Sequence, residues 1–349
     1  MSRRTLTLAV AGFLVVLLSA VAALLPVPYV ALSPGPVTNT LGSVDKTELI
    51  RIEGRQTYPD EGRLDLTTVS VLGGPSRRLD LITALRGWVD DTIAIVPEEQ
   101  VYPPGTSADE AERQSEIEMR DSQENATTAA LRHLGIPVTT SLLVEEIDPA
   151  SDAKGVLRKG DQLFEVDGRA VVGGAQLREI VTAAEAGDTL RLVVGRDGRR
   201  VTVRVRTKEA PDGRTIIGIG TRDDAEYPFT VEISLEDVGG PSAGAMFALG
   251  IVDKLTPGPL TDGRFVAGTG TIDDEGNVGA IGGITQKMVG AHEAGATEFL
   301  VPADNCEEAV ETAPGVLRLV KVETLAGAVS ALEALAKDPA AEVPSCSVG

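Results

Sequence analysis

Two glycine-rich elements, VGGPSAGAMF at residues 238–247 and AIGGITQKMV at residues 280–289, lie in one segment of the chain, residues 231–302. Ahead of the first element, residues 229–235 alternate apolar and polar side chains, a pattern typical of a half-buried strand. Residues 243–252 are small and apolar, which favours a buried helix packed closely on a sheet. The segment therefore predicts a strand, a glycine turn and a helix in succession.

Ser242 occupies the turn before this predicted helix. The free N–H groups and the dipole at a helix N-terminus favour a developing negative charge. We therefore expect Ser242 to be an exposed nucleophile, with the backbone of Gly240, Pro241 and Ser242 forming an oxyanion site.

Lys287 is the candidate base that a serine nucleophile needs. Neither histidine of the chain lies in a matching catalytic motif. In the helix predicted after the second glycine pair, Lys287 shares an apolar stripe with Ile284, Met288 and Ala291. Burial there lowers the pKa of a lysine, because desolvation disfavours the ammonium form. The alternative is that the glycine turns only allow close packing and that Lys287 is a snorkelling lysine.

Three runs of sequence and one lysine resemble the proteolytic domain of Lon proteases in letters, order and spacing: GPSAG at 240–244, TGTI at 269–272, GNVGAIGG at 276–283, and Lys287. The resemblance implies an α+β chain whose peptidase domain is of the α/β type. It implies Ser242 as nucleophile and Lys287 as general base. It also implies that the Thr269 hydroxyl helps to orient the lysine amine.

Gly240 is a departure from the ATP-dependent Lon enzymes, which usually carry an acidic residue there. Glycine at this position is similar to the membrane-anchored, PDZ-containing Lon-like proteins of bacteria, and LSPGP at residues 32–36 resembles their post-anchor segment. The chain has no Gly-x4-Gly-Lys-Ser/Thr motif. We therefore expect no ATPase module and no nucleotide.

The composition limits the partners of the chain. Its 349 residues predict two or three domains, and 42% hydrophobic residues are typical of a globular protein. A formal net charge of −20 argues against a nucleic-acid partner, since phosphate binding needs a basic surface. We predict neither a metal site nor a cofactor.

The N-terminal region has the pattern of a membrane anchor. Residues 5–25 carry no charge and are long enough to span a hydrocarbon core of about 30 Å as a helix. Arg3 and Arg4 precede this run, so the positive-inside rule predicts residues 1–4 in the cytoplasm and the catalytic domain outside it. The alternative is a cleaved signal peptide, because small residues and a proline end the run. We expect an uncleaved single-pass anchor in the cell membrane, because the run exceeds the ~7–15 apolar residues usual in a signal peptide.

Residues 26–134 are harder to assign. Residues 26–44 are rich in Pro, Gly and Thr and predict a juxtamembrane linker. Residues 45–134 contain strand-like runs and a helical pattern at 79–89. Ser76 ends a second Gly-Gly-Pro-Ser sequence, but no small-residue helix follows it, so we do not expect it to be a nucleophile.

A capping box at residues 107–110 predicts the start of a highly charged helix that runs to about residue 122. Because this helix lacks an apolar stripe, we expect it to be solvated or lid-like. Residues 126–134 predict a separate helix.

Residues 135–208 resemble a PDZ domain, on the sequences LRKGDQL at 157–163 and FEVDG at 164–168 and a helix at 176–186. Such domains bind an extended C-terminal peptide at a sheet edge. The resemblance implies protein or peptide substrates that are recruited through free C-termini. Leu134, Gly135 and Ile136 lie where the carboxylate-binding loop is expected. The alternative is a packing module without a peptide ligand.

Cys306 and Cys346 are the two cysteines of the chain. In an oxidising compartment they can form a disulfide that ties the tail, residues 338–349, to the domain before it. The alternative is two free thiols.

The predicted peptidase domain, residues 209–337, lacks room for its whole fold. The fold implied by the resemblance needs earlier strands and a helix, and the segment between residues 229 and 242 is too short to hold them. We therefore expect the PDZ domain to be inserted into the peptidase domain, with residues from 45 to about 125 completing the sheet.

These observations predict a membrane-anchored, ATP-independent serine endopeptidase with a Ser-Lys dyad. The alternative is a catalytically weak adaptor, in which the PDZ domain binds client C-termini and the Lon-like domain is a scaffold. Whether the chain forms a homo-oligomer stays open.

Overall fold

The computed structural model describes residues 3–23, 25–44, 46–58, 62–235, 238–315 and 317–347. Residues 1–2 of the predicted cytoplasmic N-terminus, residue 24 of the predicted anchor and residues 348–349 of the predicted tail lie outside the described residues. So do residues 45 and 59–61 of the segment before the predicted PDZ domain and residues 236, 237 and 316 of the predicted peptidase domain.

The helices lie at α1 (Arg3–Ala23), α2 (Leu81–Gly87), α3 (Glu98–Val101), α4 (Ala108–His133), α5 (Gly174–Thr182), α6 (Gly244–Leu255), α7 (Ile284–Ala294), α8 (Cys306–Thr312) and α9 (Leu325–Lys337), with a 3-10 turn at Ala303–Asn305.

The strands lie at β1 (Pro26–Val27), β2 (Tyr29–Asn39), β3 (Ser43–Val44), β4 (Thr47–Glu48), β5 (Ile50–Glu53), β6 (Arg63–Gly73), β7 (Leu79–Asp80), β8 (Ala94–Pro97), β9 (Thr139–Ile147), β10 (Gln162–Val166), β11 (Arg169–Ala170), β12 (Thr189–Arg196), β13 (Arg199–Arg206), β14 (Lys208–Glu209), β15 (Thr215–Ile216), β16 (Ile219–Glu226), β17 (Thr230–Ile233), β18 (Phe265–Gly268), β19 (Thr271–Ile272), β20 (Val278–Gly279), β21 (Glu298–Pro302) and β22 (Arg318–Val322).

The chain divides into two compact units. The first contains residues 1–136 and 229–349, and the second contains residues 137–228. The first unit is therefore assembled from chain segments on both sides of the second.

A six-stranded sheet forms the centre of the first unit, in the order β22-β21-β18-β6-β2-β8. The pairs from β22 to β6 are parallel, and β2 pairs antiparallel with both β6 and β8. Strand β6 comes from the N-terminal part of the chain and β18 from the C-terminal part, yet they are neighbours, with Val266 opposite Leu64.

Helices α6 and α7 pack on opposite faces of this sheet. Successive side chains of a strand point to opposite faces, and those of β21 alternate accordingly. Leu300 lies in one core cluster with Met246 and Phe247 of α6. Phe299 and Val301 lie in a second cluster with Ile284 and Met288 of α7.

The prediction of a linker at residues 26–44 is wrong, because strand β2 lies inside the sheet. Its prolines suggested a loop, but the pairing register with β6 shifts between Pro34 and Val37. That irregularity accommodates residues that cannot donate a backbone hydrogen bond. The Pro-Gly-Pro sequence thus forms a bulge within a strand.

Helix α4 also corrects the prediction of a solvated helix followed by a separate one. It begins with the expected capping box, in which Ser107 accepts a hydrogen bond from the Glu110 N–H. Its 26 residues contain neither glycine nor proline, so the helix continues to His133. The second half is buried, and Met119, Ala126 and Ala130 lie in the same core cluster as α6.

The second unit is built on a sheet in the order β13-β12-β10-β9-β16, with β11 paired to β10. Its core contains Leu142, Leu163, Leu192 and Leu177 of helix α5. The compact unit extends past the predicted boundary at residue 208, because β16 pairs with β9 from Ile219–Ile147 to Glu226–Thr139. This pairing places residues 209–228 in the second unit and brings its two ends together.

Helix α1 presents apolar side chains to solvent, including Leu8, Phe13 and Leu18. Among the residues that the structure describes, no helix combines the length and the hydropathy that crossing a membrane requires.

Candidate active site

Ser242 lies in the turn that leads into α6, directly before the N-cap residue Ala243. Its backbone carbonyl accepts two hydrogen bonds, one from the Gly270 N–H at 2.9 Å and one from the Thr269 hydroxyl at 3.0 Å. The residue is half-buried, so its position is fixed by its backbone while its side chain remains accessible.

Lys287 is buried on the first full turn of α7, with 3% of its surface exposed. Its Nζ donates a hydrogen bond to Thr269 Oγ1 at 3.0 Å. Burial lowers the pKa of Lys287 from 10.5 to about 7, because the ammonium form loses its hydration without gaining a counter-ion. Near neutral pH, a large fraction of this amine is therefore neutral and able to accept a proton.

Thr269 connects the other two residues. Its hydroxyl accepts a hydrogen bond from Lys287 and donates one to the carbonyl of Ser242. The side chain is 2% exposed, so water does not compete for these bonds. The three residues named from the sequence are thus brought together by the ends of β18, α6 and α7.

The second glycine pair allows α7 to start close to the sheet. Gly283 has φ of +70°, and a Cβ at this position would lie 2.8 Å from Cγ2 of Val69 on β6. A side chain would therefore be both strained and in contact with the strand. Lys287 lies one turn further on, where its N–H bonds to the Gly283 carbonyl at 3.1 Å.

The first glycine pair lies against α4. A Cβ on Gly239 would meet the Ser115 hydroxyl at 1.9 Å, and Gly240 has φ of +82°. The Gly240 N–H donates to the Ser115 carbonyl at 3.3 Å. Of the three predicted oxyanion positions, Pro241 has no N–H to offer, Gly240 is engaged by Ser115, and the Ser242 N–H makes no hydrogen bond to any described residue.

A cavity of about 590 Å³ opens at Ser242 and Lys287. Its walls come from β6 and β2, from α4 and from the two glycine-rich loops. The lining residues are Pro36, Thr68, Val69, Ser70, Val71, Ser115, Met119, Val238, Gly239, Gly240, Ser242, Ala243, Gly282 and Lys287. Ser76, which ends the other Gly-Gly-Pro-Ser sequence, lines a different cavity.

Sequence reasoning missed the contribution of α4. Ser115 and Met119 line the cavity, and the Ser122 hydroxyl donates to the Pro241 carbonyl at 3.0 Å. The signal was present, because Met119, Ser122, Ala126 and Ala130 are spaced by three or four residues along one helix face.

The carbonyl of Pro241, the residue before Ser242, is thus held by α4.

The predicted peptide-binding residues lie at the C-terminal end of α4. Leu134 is its C-cap, Gly135 has φ of +67°, and the Ile136 N–H bonds to the Leu131 carbonyl at 2.9 Å. This is a glycine-terminated helix cap, and its residues belong to the first unit. That they form a carboxylate-binding loop stays a prediction, and the Ile136 N–H is already bonded within the helix cap.

In the second unit, a cavity of about 390 Å³ lies between α5 and the start of β16. Leu177 and Val181 line it from the helix, and Ile217 and Ile219 line it from the strand side. Strand β16 is at the end of the sheet, so one of its edges is open beside this cavity.

Cys306 and Cys346 form a disulfide, with their Cα atoms 5.1 Å apart. Cys306 begins α8, and the segment before Cys346 is held by a hydrogen bond from Lys321 N–H to the Pro344 carbonyl at 2.9 Å. The described part of the tail is therefore attached along β22.

Within the described residues, no group of three or more His, Cys, Asp or Glu side chains is arranged to hold a metal ion.

Two family models match this chain. Residues 237–334 match the Lon protease (S16) C-terminal proteolytic domain, and residues 116–207 match the PDZ domain. The chain therefore contains a PDZ domain and a Lon-type proteolytic domain in a mixed α/β fold.

Curated relatives are similar over part of their length. Lon protease 1 of Sorangium cellulosum is 47% identical over 66 residues, which are 19% of this chain and 8% of that protein. The Lon protease of Halothermothrix orenii is 24% identical over 211 residues, which are 59% of this chain and 25% of that protein. The chain thus spans a quarter or less of the length of these relatives.

Among solved structures, the PDZ domain of the SdrC-like protein from Listeria monocytogenes is 21% identical. The alignment covers 23% of this chain and 85% of the Listeria chain, with a TM-score of 0.22.

Proposed function

We propose that this chain is a serine endopeptidase in which Ser242 is the nucleophile and Lys287 the general base. The observation that carries the proposal is the buried amine of Lys287, hydrogen-bonded to Thr269 and sharing a cavity with Ser242. A neutral lysine amine is the species that can accept the hydroxyl proton, and burial makes it available near neutral pH.

The geometry suggests how the reaction proceeds. The Ser242 Oγ attacks the carbonyl carbon of the scissile peptide while its proton passes to the Lys287 Nζ. The Ser242 N–H, which points to no described partner, donates to the resulting oxyanion. The Lys287 ammonium then gives its proton to the leaving amine, and the C–N bond breaks to leave an ester on Ser242. Water, deprotonated by the same lysine, cleaves the ester and restores both residues.

Thr269 sets the direction of the amine lone pair. One N–H of the neutral Lys287 amine is committed to Thr269 Oγ1, because the hydroxyl proton of Thr269 is itself donated to the Ser242 carbonyl. With one N–H fixed, the lone pair can turn toward the cavity that Ser242 lines. This arrangement supports a base that is pre-oriented before substrate binds.

A fluorophosphonate probe tests the assignment. The wild-type chain should be labelled, and Ser242→Ala should not be. Ser76→Ala is the matched control, since it removes a serine in the same four-residue sequence away from the site, and it should be labelled like wild type. Labelling of Ser242→Ala would contradict the proposal, and unlabelled wild-type protein that still binds peptides would favour the adaptor.

We propose that proteolysis needs no ATP. The 349 residues contain no Walker-type sequence, and the family match to Lon proteases covers the proteolytic domain. Turnover of an unfolded protein should therefore be the same with and without ATP and magnesium. A requirement for ATP would contradict this part of the proposal.

We propose that the groove between α5 and β16 binds the C-terminus of a substrate. An extended peptide would add to the open edge of β16 and place apolar side chains against Leu177 and Val181. Arg178 also lines the groove. We therefore expect peptides with an acidic residue upstream of an apolar C-terminus to bind better than those with lysine there.

Fluorescence polarisation with labelled peptides tests this groove. Arg178→Glu should reverse the charge preference by about two- to fivefold, which is the size expected for an exposed ion pair. The control Arg204→Glu makes the same change on an exposed position of β13, away from the groove, and should leave the preference unchanged. Equal binding of a peptide with an amidated C-terminus would contradict recognition of the carboxylate.

We also propose that the N-terminal region anchors the chain in the cell membrane, with the catalytic domain outside the cytoplasm. The charge-free run at residues 5–25 and the exposed apolar side chains of α1 support this. The disulfide supports an oxidising compartment. When membranes are washed with carbonate, the wild-type chain should stay in the membrane pellet. The double variant Val15→Lys/Leu18→Lys should be released into the supernatant. Val172→Lys, which changes an exposed valine in the second unit, should stay in the pellet.

A further inference from the structure

Asn305 makes two hydrogen bonds with the backbone of Ile281. Its Oδ1 accepts from the Ile281 N–H at 2.9 Å, and its Nδ2 donates to the Ile281 carbonyl at 3.0 Å. The side chain is buried, with 7% of the residue exposed. One amide therefore satisfies both backbone groups of a residue 24 positions away in the chain.

Ile281 lies in the turn that leads to the base. Residues 280–283 are neither helix nor strand. Gly282, the next residue, lines the cavity, and Gly283 is the N-cap of α7. Lys287 is in the first turn of that helix, so a shift of Ile281 would move the start of α7 and the amine with it.

Asn305 itself stands on a fixed part of the fold. It ends the 3-10 turn after β21, and the next residue, Cys306, is disulfide-bonded to Cys346. Strand β21 lies between β18 and β22 in the sheet. The Asn305 side-chain amide thus connects the end of the central strand β21 to the loop at residues 280–283, which pairs with no described strand.

We propose that Asn305 is a positioning residue for Lys287, which holds residues 280–283 in the conformation that keeps the lysine amine buried beside Thr269. The inference rests on the proposed peptidase function and concerns the same site. It assigns to Asn305 a role in the chemistry that is separate from its contribution to folding.

The physical consequence is an effect on the protonation of the base. If the turn loosens, water reaches the amine, the ammonium form regains hydration, and the pKa of Lys287 rises back toward the value of a free lysine. Lys287 is the only Lys, Arg, His, Asp or Glu among the described residues that line the cavity.

Other charged groups lie on the elements that pack against α7. They are Arg63 and Asp65 on β6, which bind each other, and Glu307, Glu308 and Glu311 on α8, of which Glu308 accepts a hydrogen bond from Thr285. Strands β2 and β18 carry no charged residue. None of these charges lines the cavity, so a change in the pH profile would report on the hydration of Lys287.

The experiment compares kcat and KM for a peptide substrate of the full chain from about pH 6 to about pH 10. Asn305→Ala should lower kcat at neutral pH by roughly fivefold, with KM within about twofold, and should move the rising limb of the kcat profile upward by about one pH unit. At high pH the variant should approach wild-type kcat. Asn305→Asp, which can still accept from the Ile281 N–H, should show a smaller shift in the same direction.

Asn277→Ala is the matched control, because Asn277 is exposed and its amide bonds to Asp273 in a turn that does not carry the base. It should leave the profile unchanged. If Asn305→Ala lowers kcat by the same factor at every pH, or does not shift the rising limb of the kcat profile, the positioning role is wrong. If Asn305→Ala does not fold, the Asn305→Asp profile decides, and an unshifted limb there contradicts the inference.

The proposed function can fail separately. If Lys287→Ala retains turnover, Lys287 is not the base and the peptidase mechanism is wrong whatever the Asn305 variants do. If Lys287→Ala is inactive while both Asn305 variants keep the wild-type limb, only the role of Asn305 is wrong.

Discussion

Lys287 and Thr269 form a buried hydrogen bond of 3.0 Å between an amine and a hydroxyl, and no carboxylate takes part in it. A carboxylate partner would favour the ammonium form and remove the base. A neutral hydroxyl orients the amine without raising its pKa, so a threonine partner is compatible with the proposed role of Lys287 as the base.

Thr269→Val should therefore reduce kcat by roughly ten- to a hundredfold, because the amine keeps its burial but loses the group that orients it. KM should change little, since the hydroxyl does not face the cavity. Thr271→Val is the control: it removes a hydroxyl two residues away on β19, and its kcat should match wild type. Steady-state kinetics on a peptide substrate measure both, and a Thr269→Val enzyme with full kcat would show that Lys287 is oriented by something else.

Ser242 and Lys287 should behave as one unit. Ser242→Ala and Lys287→Ala should each abolish peptide cleavage, and the double variant should be no worse than either single variant. Lys287→Arg should also be inactive, because arginine does not release its proton near neutral pH. Circular dichroism should show that all four variants remain folded. Additive losses in the double variant would mean that the two residues act independently.

The pH dependence of kcat follows from the buried lysine. Because the pKa of Lys287 is lowered to about 7, activity should rise through a limb near neutral pH and reach a plateau well below the pKa of a free lysine. The plateau marks the point at which the base is fully deprotonated. A rate that climbs without a plateau up to the free-lysine pKa would show that the amine is hydrated in the working enzyme.

The same burial should cost stability. The pKa is lower in the folded chain than in the unfolded chain, so the unfolded chain binds more protons between about pH 7 and 10.5, and stability should rise with pH across that window. Below about pH 7 both states are protonated and the whole cost is present, with an upper limit of roughly 5 kcal/mol.

Lys287→Met removes this cost while keeping the volume of the side chain. It should be inactive but more stable than wild type at neutral pH, and the difference should shrink as the pH rises toward 10 or so. Chemical denaturation at several pH values measures it. The control is Lys321→Met: Lys321 is a partly exposed lysine on β22, paired with Glu323, and its replacement should give no such pH-dependent gain. Equal stability of Lys287→Met and wild type at all pH values would contradict the burial of a charge.

Ser242 and Lys287 could be singled out as candidates because the information is local, whereas Thr269 was singled out only by the family resemblance. Ser242 lies between a glycine pair and a small-residue helix, and Lys287 follows the second glycine pair within one helical turn. Backbone strain at Gly283 and close packing at Gly239 explain why those residues are glycines. Sequence patterns within one turn and the start of one helix are enough to predict the position of such a residue.

The remaining walls of the site could not be predicted in this way. Met119 and Ser115 come from a helix more than a hundred residues before Ser242, and its many charges concealed a buried face. The prolines of β2 pointed to a linker because the bulge that accommodates them depends on pairing with β6. Gly135 alone does not distinguish a helix cap from a carboxylate-binding loop, because both use glycine with positive φ. For α4 and β2, the deciding partner is distant in sequence.

The topology predicts which parts of the chain can fold alone. A fragment starting at Asp212 should be insoluble or inactive, because it lacks β6 and β2, two central strands of the first unit, and keeps only the end of the second unit. Strand β18 would lose its neighbour on one side, and the apolar residues of α6 that pack against Leu64 and Leu66 would be exposed.

A chain in which residue 136 is joined to residue 229 through a short glycine-serine linker should fold and retain peptide cleavage. The first and last strands of the second unit have adjacent ends, since Thr139 pairs with Glu226. An inserted domain whose termini are adjacent can be removed with little strain on the domain that contains it. Removal of residues 135–208 alone is the informative comparison. It would leave β16 without β9, so this variant should be less soluble than the one that removes all of residues 137–228. Thermal unfolding and turnover of the three chains measure the outcome, and cooperative folding with cleavage by the Asp212 fragment would show that the N-terminal strands are a separate domain.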